Sequence, residues 1–356
     1  MKKKGLMAIG LLTVLLNANA QDVSTYTPGA MPEGVVYYLP KTLLEVKVKV
    51  TQTNYTPGEL CQYADRYLRL QNISSQPTEE WAINSIEVKA IGVRDTAKAY
   101  SVKLKEKSLA SEVELTPDGI IKAINTTAPA PATSPEPKVA PTANAKRLNP
   151  RNFMTEEMLL AGSSNKMAEL IAKEIYSIRE SKNNLNRGQA DYMPKDGAAM
   201  QIMLNNLEEQ ERALTEMFSG ITTRQEHVFT FHFEPQKEEV IGEVLFRFSK
   251  KLGVLQADNY AGEPIYISLA IKERILAPAE PEGAKKKAAV EGIIYNIPGK
   301  GKVYIEASDK NFFEGEFPIT QFGETEVLVN SLFTKKVNTR VIFNPTTGGI
   351  SKIDKD

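Results

Sequence analysis

The chain has one cysteine, Cys61, and two histidines, His227 and His232. A single thiol cannot close an intrachain disulfide, so the fold must be held by burial of apolar surface. The two histidines are an odd number of residues apart. They fall on opposite faces if their segment is a strand, which argues against a shared metal. The H-E-x-x-H, C-x-x-C, P-loop and EF-hand patterns are missing. Ser163-Ser164-Asn165-Lys166 fits S-x-x-K, but no S-D-N or K-T-G companion follows, and helix capping explains these serines better. No catalytic, cofactor-binding or metal-binding residue is therefore assigned, and no cofactor is expected. Lys and Arg balance Asp and Glu at 44 each. Nucleic acid needs a concentrated basic face and is not expected as a partner.

A long hydrophobic run is also missing. Leu6 to Leu16 is apolar but too short to cross a bilayer core of roughly 30 Å, so no transmembrane span is expected. It fits a signal peptide instead. Lys2-Lys3-Lys4 precede it and Ala18-Asn19-Ala20 supplies a small-residue cleavage site. Residues 1–20 are read as the signal peptide, cleaved after Ala20, and 21–33 as an N-terminal extension. The mature chain is then about three charges negative, and its expected location is the periplasm or cell surface.

What is present is a repeat. Gly34-Val35-Val36-Tyr37-Tyr38-Leu39-Pro40 returns as Gly292-Ile293-Ile294-Tyr295-Asn296-Ile297-Pro298. Asn54 to Leu60 matches Asn311 to Phe317, and Gln62-Tyr63-Ala64 matches Gln321-Phe322-Gly323. Residues 34–125 read as one β module. Leu44, Val46, Val48 and Val50 alternate with Glu45, Lys47 and Lys49, the period of a half-buried strand. Thr116-Pro117-Asp118-Gly119 and Asn344 to Gly349 are turn sequences, so each copy should close with a hairpin. Residues 126–150 form a Pro/Ala-rich linker with little to bury, and 277–289 resemble it. Residues 151–221 switch to helical period. Ser163 or Ser164 caps one long helix, Asp196 caps its partner, and Gly188 and Gly220 follow their ends. A short connection predicts an antiparallel hairpin. Residues 222–356 return to strands and hold the second copy. The expected fold class is α+β multidomain, with two related β-sandwich-like modules flanking an antiparallel helical hairpin.

The matched positions give the candidate site residues. Glu59 pairs with Glu316 and Gln62 with Gln321, as Tyr55 does with Phe312, Gly58 with Gly315 and Tyr63 with Phe322. Two carboxylates could serve as acid and base, but glycines just before them favour turns stabilised by polar side chains. These residues are therefore read as structural. The methionines of the helix pair (Met167, Met200, Met203 and Met217 among them) are read as the seam between the helices. Asp95-Thr96-Ala97 resembles the O-glycosylation signal of exported proteins in Bacteroides and relatives, which makes Thr96 a candidate glycan carrier.

Tyr55-Thr56-Pro57-Gly58 with Gln62 to Leu68, Ala161-Gly162-Ser163 with Lys166 to Glu169, and Ile175-Tyr176 with Ile178 to Ser181 form a recognisable set. With Asp191, Pro194, Asp196-Gly197 and Gly292 to Pro298, they resemble the secreted Bacteroides-type family catalogued as domain of unknown function 4831. The resemblance implies export and assigns no functional residue. The functional expectation is a non-catalytic binding or assembly module of the cell envelope. Its partners would be envelope proteins, and it could self-associate through the helical hairpin. The alternative is a glycan-binding accessory protein or glycan hydrolase, with a cleft lined by Trp81, Tyr55, Phe312 and Phe313.

Overall fold

The computed structural model describes residues 23–25, 34–102, 112–129, 148–194, 196–276, 292–308, 310–329, 332–333 and 339–355. The expected signal peptide, most of the extension and the centres of both Pro-rich segments lie outside the described residues. The rest is mostly β, in three antiparallel sheets with few helices.

The first sheet is built on β2 (Val35–Thr56) and β3 (Thr78–Val102), with β1 (Val23–Thr25) beside β3 and β6 (Ile221–Phe233) beside β2. The second runs in the order β11 (Lys310–Val329), β10 (Gly292–Ala307), β9 (Glu263–Glu273), β7 (Val240–Ser249), β8 (Gly253–Leu255). These two sheets share one core. Leu44, Val46, Val48 and Val50 of β2 and Phe233 of β6 pack with Phe246, Ile265, Ile267, Leu269, Val303 and Ile305 of the second sheet. Full burial of such a side chain is worth about 1.5–3 kcal/mol. The intervening Glu45, Lys47 and Lys49 face outward, and Lys49 reaches Glu87 of β3 at 2.5 Å.

The third sheet joins the two copies. Hairpin β4 (Val113–Leu115) and β5 (Ile121–Ile124) pairs with hairpin β12 (Thr339–Phe343) and β13 (Ile350–Lys355), through Ile124 opposite Val341. The predicted turns are in place. Gly119 donates its N–H to Thr116 O at 2.9 Å with φ +80°, and Gly348 has φ +70°. The modules assigned to 34–125 and 222–356 are thus intertwined and do not flank the helices as separate bodies. β6 of the later segment completes the first sheet, and the closing hairpins share the third. A two-stranded hairpin has one apolar face and nothing of its own to bury it against. Here Ile121, Ile124, Val341 and Phe343 of the joint sheet pack with Tyr37 and Leu39 of the first copy and Ile293 and Leu328 of the second.

The repeat is real in its first block and fails in its second and third. Asn54 to Leu60 ends a strand and enters a helical insertion, with a 3-10 turn at Cys61–Tyr63 and α1 at Ala64–Leu68. Asn311 to Phe317 lies along β11. What the two copies do share is a bulge in the long hairpin that follows the first block. In the first copy, Tyr38 pairs with Ala99 and Pro40 with Arg94, so residues 95–98 bulge opposite Leu39. In the second, Ile297 pairs with Glu324 and Gly299 with Ile319, so 320–323 bulge opposite Pro298. The hairpins share a shape there without sharing residues.

The helices form a separate core. α2 (Glu156–Leu159) precedes α3 (Ser164–Arg187) and α4 (Gly197–Ser219). Ser163 Oγ accepts from Lys166 N at 3.2 Å and Asp196 Oδ1 from Ala199 N at 2.7 Å, as the capping rule predicts. Arg179 meets Glu211 at 2.6 Å and Lys182 meets Glu208 at 3.7 Å, so the two long helices run antiparallel. Ile171, Ile175 and Ile178 pack on Leu214, Met217 and Phe218, and the insertion adds Leu60, Ala64 and Leu68. Met217 is buried in this seam and Met167 packs against it. Met200 and Met203 are half-buried, nearer the hairpin tip.

Between the two cores β2, β3 and β6 continue as a three-stranded ribbon. Beyond Val50 the side chains of residues 51–56, 79–80 and 222–226 are half-buried or exposed, and they belong to neither core. Five residues of strand give this neck a length of about 16 Å.

Candidate functional site

Two polar constellations stand out, one at each end of β2. The first is a closed seam where the copies meet. Tyr37 is fully buried, and its hydroxyl donates to Ile294 O at 3.2 Å and accepts from Ile294 N at 3.0 Å. Burial pushes this phenol far above its ordinary range, so it stays neutral. Asn296 Nδ2 donates to Pro40 O and Thr347 O, each at 2.9 Å. Thr42 and Thr320 exchange backbone donors: Thr42 N gives to Thr320 Oγ1 at 2.9 Å, and Thr320 N to Thr42 Oγ1 at 3.0 Å. Gln321 Nε2 donates to Thr42 O at 2.8 Å. Gly92, opposite Thr42, has no space for a side chain, since a Cβ there would lie 2.3 Å from Pro345 O. Apart from Asn296 Oδ1, which is buried without a partner among the described residues, these groups satisfy one another in a closed interior, and their chemistry is that of a joint. Tyr295, the repeat partner of Tyr37, instead donates to Glu326 at 2.6 Å, and burial with that bond pushes its pKa up to about 12.

The second constellation is the neck. On the face continuous with the core side of β2, Gln52 lies between Trp81 and Gln225, and Asn54 between Glu79 and Thr223. Gln52 Nε2 donates to Glu79 Oε1 at 2.8 Å, Trp81 Nε1 donates to the same oxygen at 3.0 Å, and His227 Nε2 meets Gln52 Oε1 at 3.3 Å. The Trp81 and His227 rings are 5.2 Å apart. Trp81 is held from its other sides: its N–H donates to Lys250 O at 2.8 Å, and its ring packs so closely on Gly253 that a Cβ there would lie 2.8 Å away. The signal for this site was the sequence Thr51-Gln52-Thr53-Asn54, where apolar alternation stops but β pairing does not.

The sequence-predicted site residues are not brought together. Tyr55 donates to Ser74 O at 2.9 Å and Ser219 O at 3.2 Å, tying the insertion to the end of α4. Gly58 is pressed on that end, where a Cβ would lie 2.2 Å from Met217 O, and Leu60 N donates to that carbonyl at 2.7 Å. This satisfies an orphan carbonyl at the helix C-terminus. Glu59 is exposed 3.7 Å from Arg151, Gln62 is exposed, and Tyr63 OH meets Ser164 Oγ at 3.2 Å. Gly315 sits mid-strand opposite Val303, and Glu316 opposite Lys302, so neither lies in the expected turn. Phe312 is half-buried against the shared core, Phe322 is buried in it, and Gln321 belongs to the seam. Glu59 and Glu316 are thus on different bodies, and the block match that paired them reflected similar composition only. The proposed aromatic cleft does not form among the described residues. Trp81 packs on β8 and Phe313 lies on β11, the two opposite edges of the second sheet, while Tyr55 belongs to the neck and α4.

Beside Gly58 a cleft of about 200 Å³, lined by Thr56, Glu59, Leu148, Arg151 and Glu216, is smaller than the roughly 300 Å³ that begins the range of small-molecule sites. An apolar groove of about 410 Å³ lies between Phe229 and Phe231 of β6 and Leu245 and Val254 of the second sheet. His227 lies opposite Val50 and His232 opposite Glu45, on opposite faces of β6. Thr96 is exposed at the first bulge, where Asp95 Oδ1 accepts from Ala97 N at 3.0 Å and turns the chain outward. No helix among the described residues is long and apolar enough to cross a membrane. No curated protein and no solved structure matches the chain. The model of one family matches residues 33–351, nearly the whole described chain, and the protein belongs to that family, Domain of unknown function DUF4831.

Proposed function

We propose that the protein is an exported, non-catalytic binding or assembly module of the cell envelope. In this reading a sandwich-like β body and a helical unit are held apart by the neck, and the helical unit presents the contact surface. The supporting observation is a set of large apolar side chains left in solvent toward the hairpin tip: Tyr192 at 69% exposure, Ile202 at 61% and Met193 at 38%. Neighbouring exposed apolar side chains are a feature of association surfaces, although Ile241 at 88% and Tyr260 at 84% are exposed on the β body as well. The partners are envelope proteins or a second copy meeting hairpin to hairpin. Light scattering of the mature protein, with and without Ile202→Asp and Tyr192→Asp, tests self-association. A mass that is monomeric before and after substitution refutes it. Crosslinking in the native host followed by mass spectrometry tests the envelope partner, and N-terminal sequencing tests cleavage after Ala20.

A further inference from the structure

We propose that the open edge of β6 pairs with the same edge of a second copy of this chain, antiparallel and related by a two-fold axis through Gln225. This contact is separate from the hairpin tip and does not rest on it. Among the described residues β6 has a neighbouring strand on one side only. An open edge offers a row of backbone donors and acceptors, and one that is to stay open is normally blunted by charge, proline, a bulge or shortness. The other open edges of the described sheets are blunted in these ways. Beyond β1, β3 carries Glu79, Glu80, Glu87 and Lys89 and bulges at Asn84. β11 carries Gly315, Pro318 and the bulge at 320–323. β1, β4 and β8 have three residues each, and the short β13 holds Lys352, Asp354 and Lys355. In contrast, β6 runs for 13 residues with no proline, glycine or register shift.

The charges of the strand select the occupant. Arg224 and Glu226 are exposed, lie opposite the neutral Thr53 and Thr51 of β2, and have no ionic partner among the described residues. Directly opposite residues of an antiparallel pair share a face. An axis through Gln225 therefore sets Arg224 against Glu226 of the partner subunit, and Glu226 against the partner's Arg224. Moving the axis to Arg224 or to Glu226 puts like charges opposite each other, which is destabilising. Moving it to His227 leaves Glu226 against a valine. On the other face of the strand, Ile221 meets the partner's Phe229, beside the apolar groove of about 410 Å³ that Phe229 lines. The paired span, Ile221 to Phe229, is centred in the neck, where residues 222–226 are exposed. A strand that answers its own charges under two-fold symmetry has the character of an isologous contact between identical chains.

The experiment is light scattering of the mature protein over a concentration series, with Arg224→Glu and Glu226→Arg made singly and then mixed. Both positions are exposed, so neither change disturbs the core. The wild type should approach twice the monomer mass. Arg224→Glu sets glutamate against glutamate and Glu226→Arg sets arginine against arginine, so each alone should weaken the pairing by about tenfold or more. An equimolar mixture of the two variants sets glutamate against arginine at both places and should return to the dimer mass. Adding Ile202→Asp to both chains should leave that recovery unchanged, which separates the edge from the hairpin tip. A wild type that is monomeric at every concentration, a dimer indifferent to both single variants, or single variants that fail to recover on mixing would each overturn the proposal. A dimer lost only in Ile202→Asp would overturn it too, while sustaining assembly through the hairpin.

Discussion

The two ends of β2 have the same backbone and opposite surroundings. At the Thr42 end the polar groups are enclosed, and Tyr37 and Thr42 are answered from the other repeat copy. At the Gln52 end the polar groups are open and answered mainly within their own ribbon. The difference is set by what covers the strand. Where the second sheet lies over β2, each polar atom needs a protein partner, because a buried unpaired donor costs about 1–3 kcal/mol. Where nothing covers it, water can substitute.

That contrast is broken most violently at Gly92. Gly92→Ala forces a Cβ into the Pro345 carbonyl and should cost about 3 kcal/mol or more, seen as a large drop in melting temperature or loss of folded protein. Thr42→Val is gentler and more informative. It removes the sole acceptor of Thr320 N, whereas Thr320→Val leaves Thr42 N with Gln321 Oε1 at 3.3 Å. Urea unfolding should therefore show Thr42→Val costing about 1–3 kcal/mol and Thr320→Val less; the reverse order would contradict the reciprocal bond. A smaller effect is expected at Glu114 in the closing hairpin. Its bond to Lys122, and then that from Ala128 N, hold its carboxyl below the ordinary range. A depressed carboxylate stabilises the fold above its unfolded pKa, and the contribution is lost as pH falls through the folded value. Wild type should thus lose more stability on acidification below the usual carboxylate range than Glu114→Gln does. Gln225→Ala should be the smallest, within about 0.5 kcal/mol of wild type, and a larger loss would mean that the neck is as tightly packed as the seam. Separately, the proposal that Thr96 carries a glycan requires an intact mass of the native mature protein above its sequence mass.

Local features were legible because they depend on neighbours in sequence. The alternation from Thr42 to Val50, the caps at Ser163 and Asp196, and the turn at Gly119 each follow from a few residues and their steric needs. The pairing of β5 with β12 and of β2 with β6 depends on which apolar face finds which cover, and no local pattern encodes that. The later repeat blocks misled because similar residue types recur in a turn and in a strand. The real equivalence lies between Asp95-Thr96-Ala97-Lys98 and Thr320-Gln321-Phe322-Gly323, which have no residue in common. The neck was visible as a polar strand end. Its identity as a surface required knowing where the second sheet stops.

The sharing of the third sheet between the copies also has a meaning in time. Tyr37 waits for a partner 257 residues later in the chain, and Thr42 for one 278 residues later. Contacts of such separation fold slowly, because most of the chain must be ordered before they form. A nascent chain lacking Thr339 to Phe343 has an unpaired β5 edge. The first copy cannot mature ahead of the second, so the fold closes only once β12 has been made.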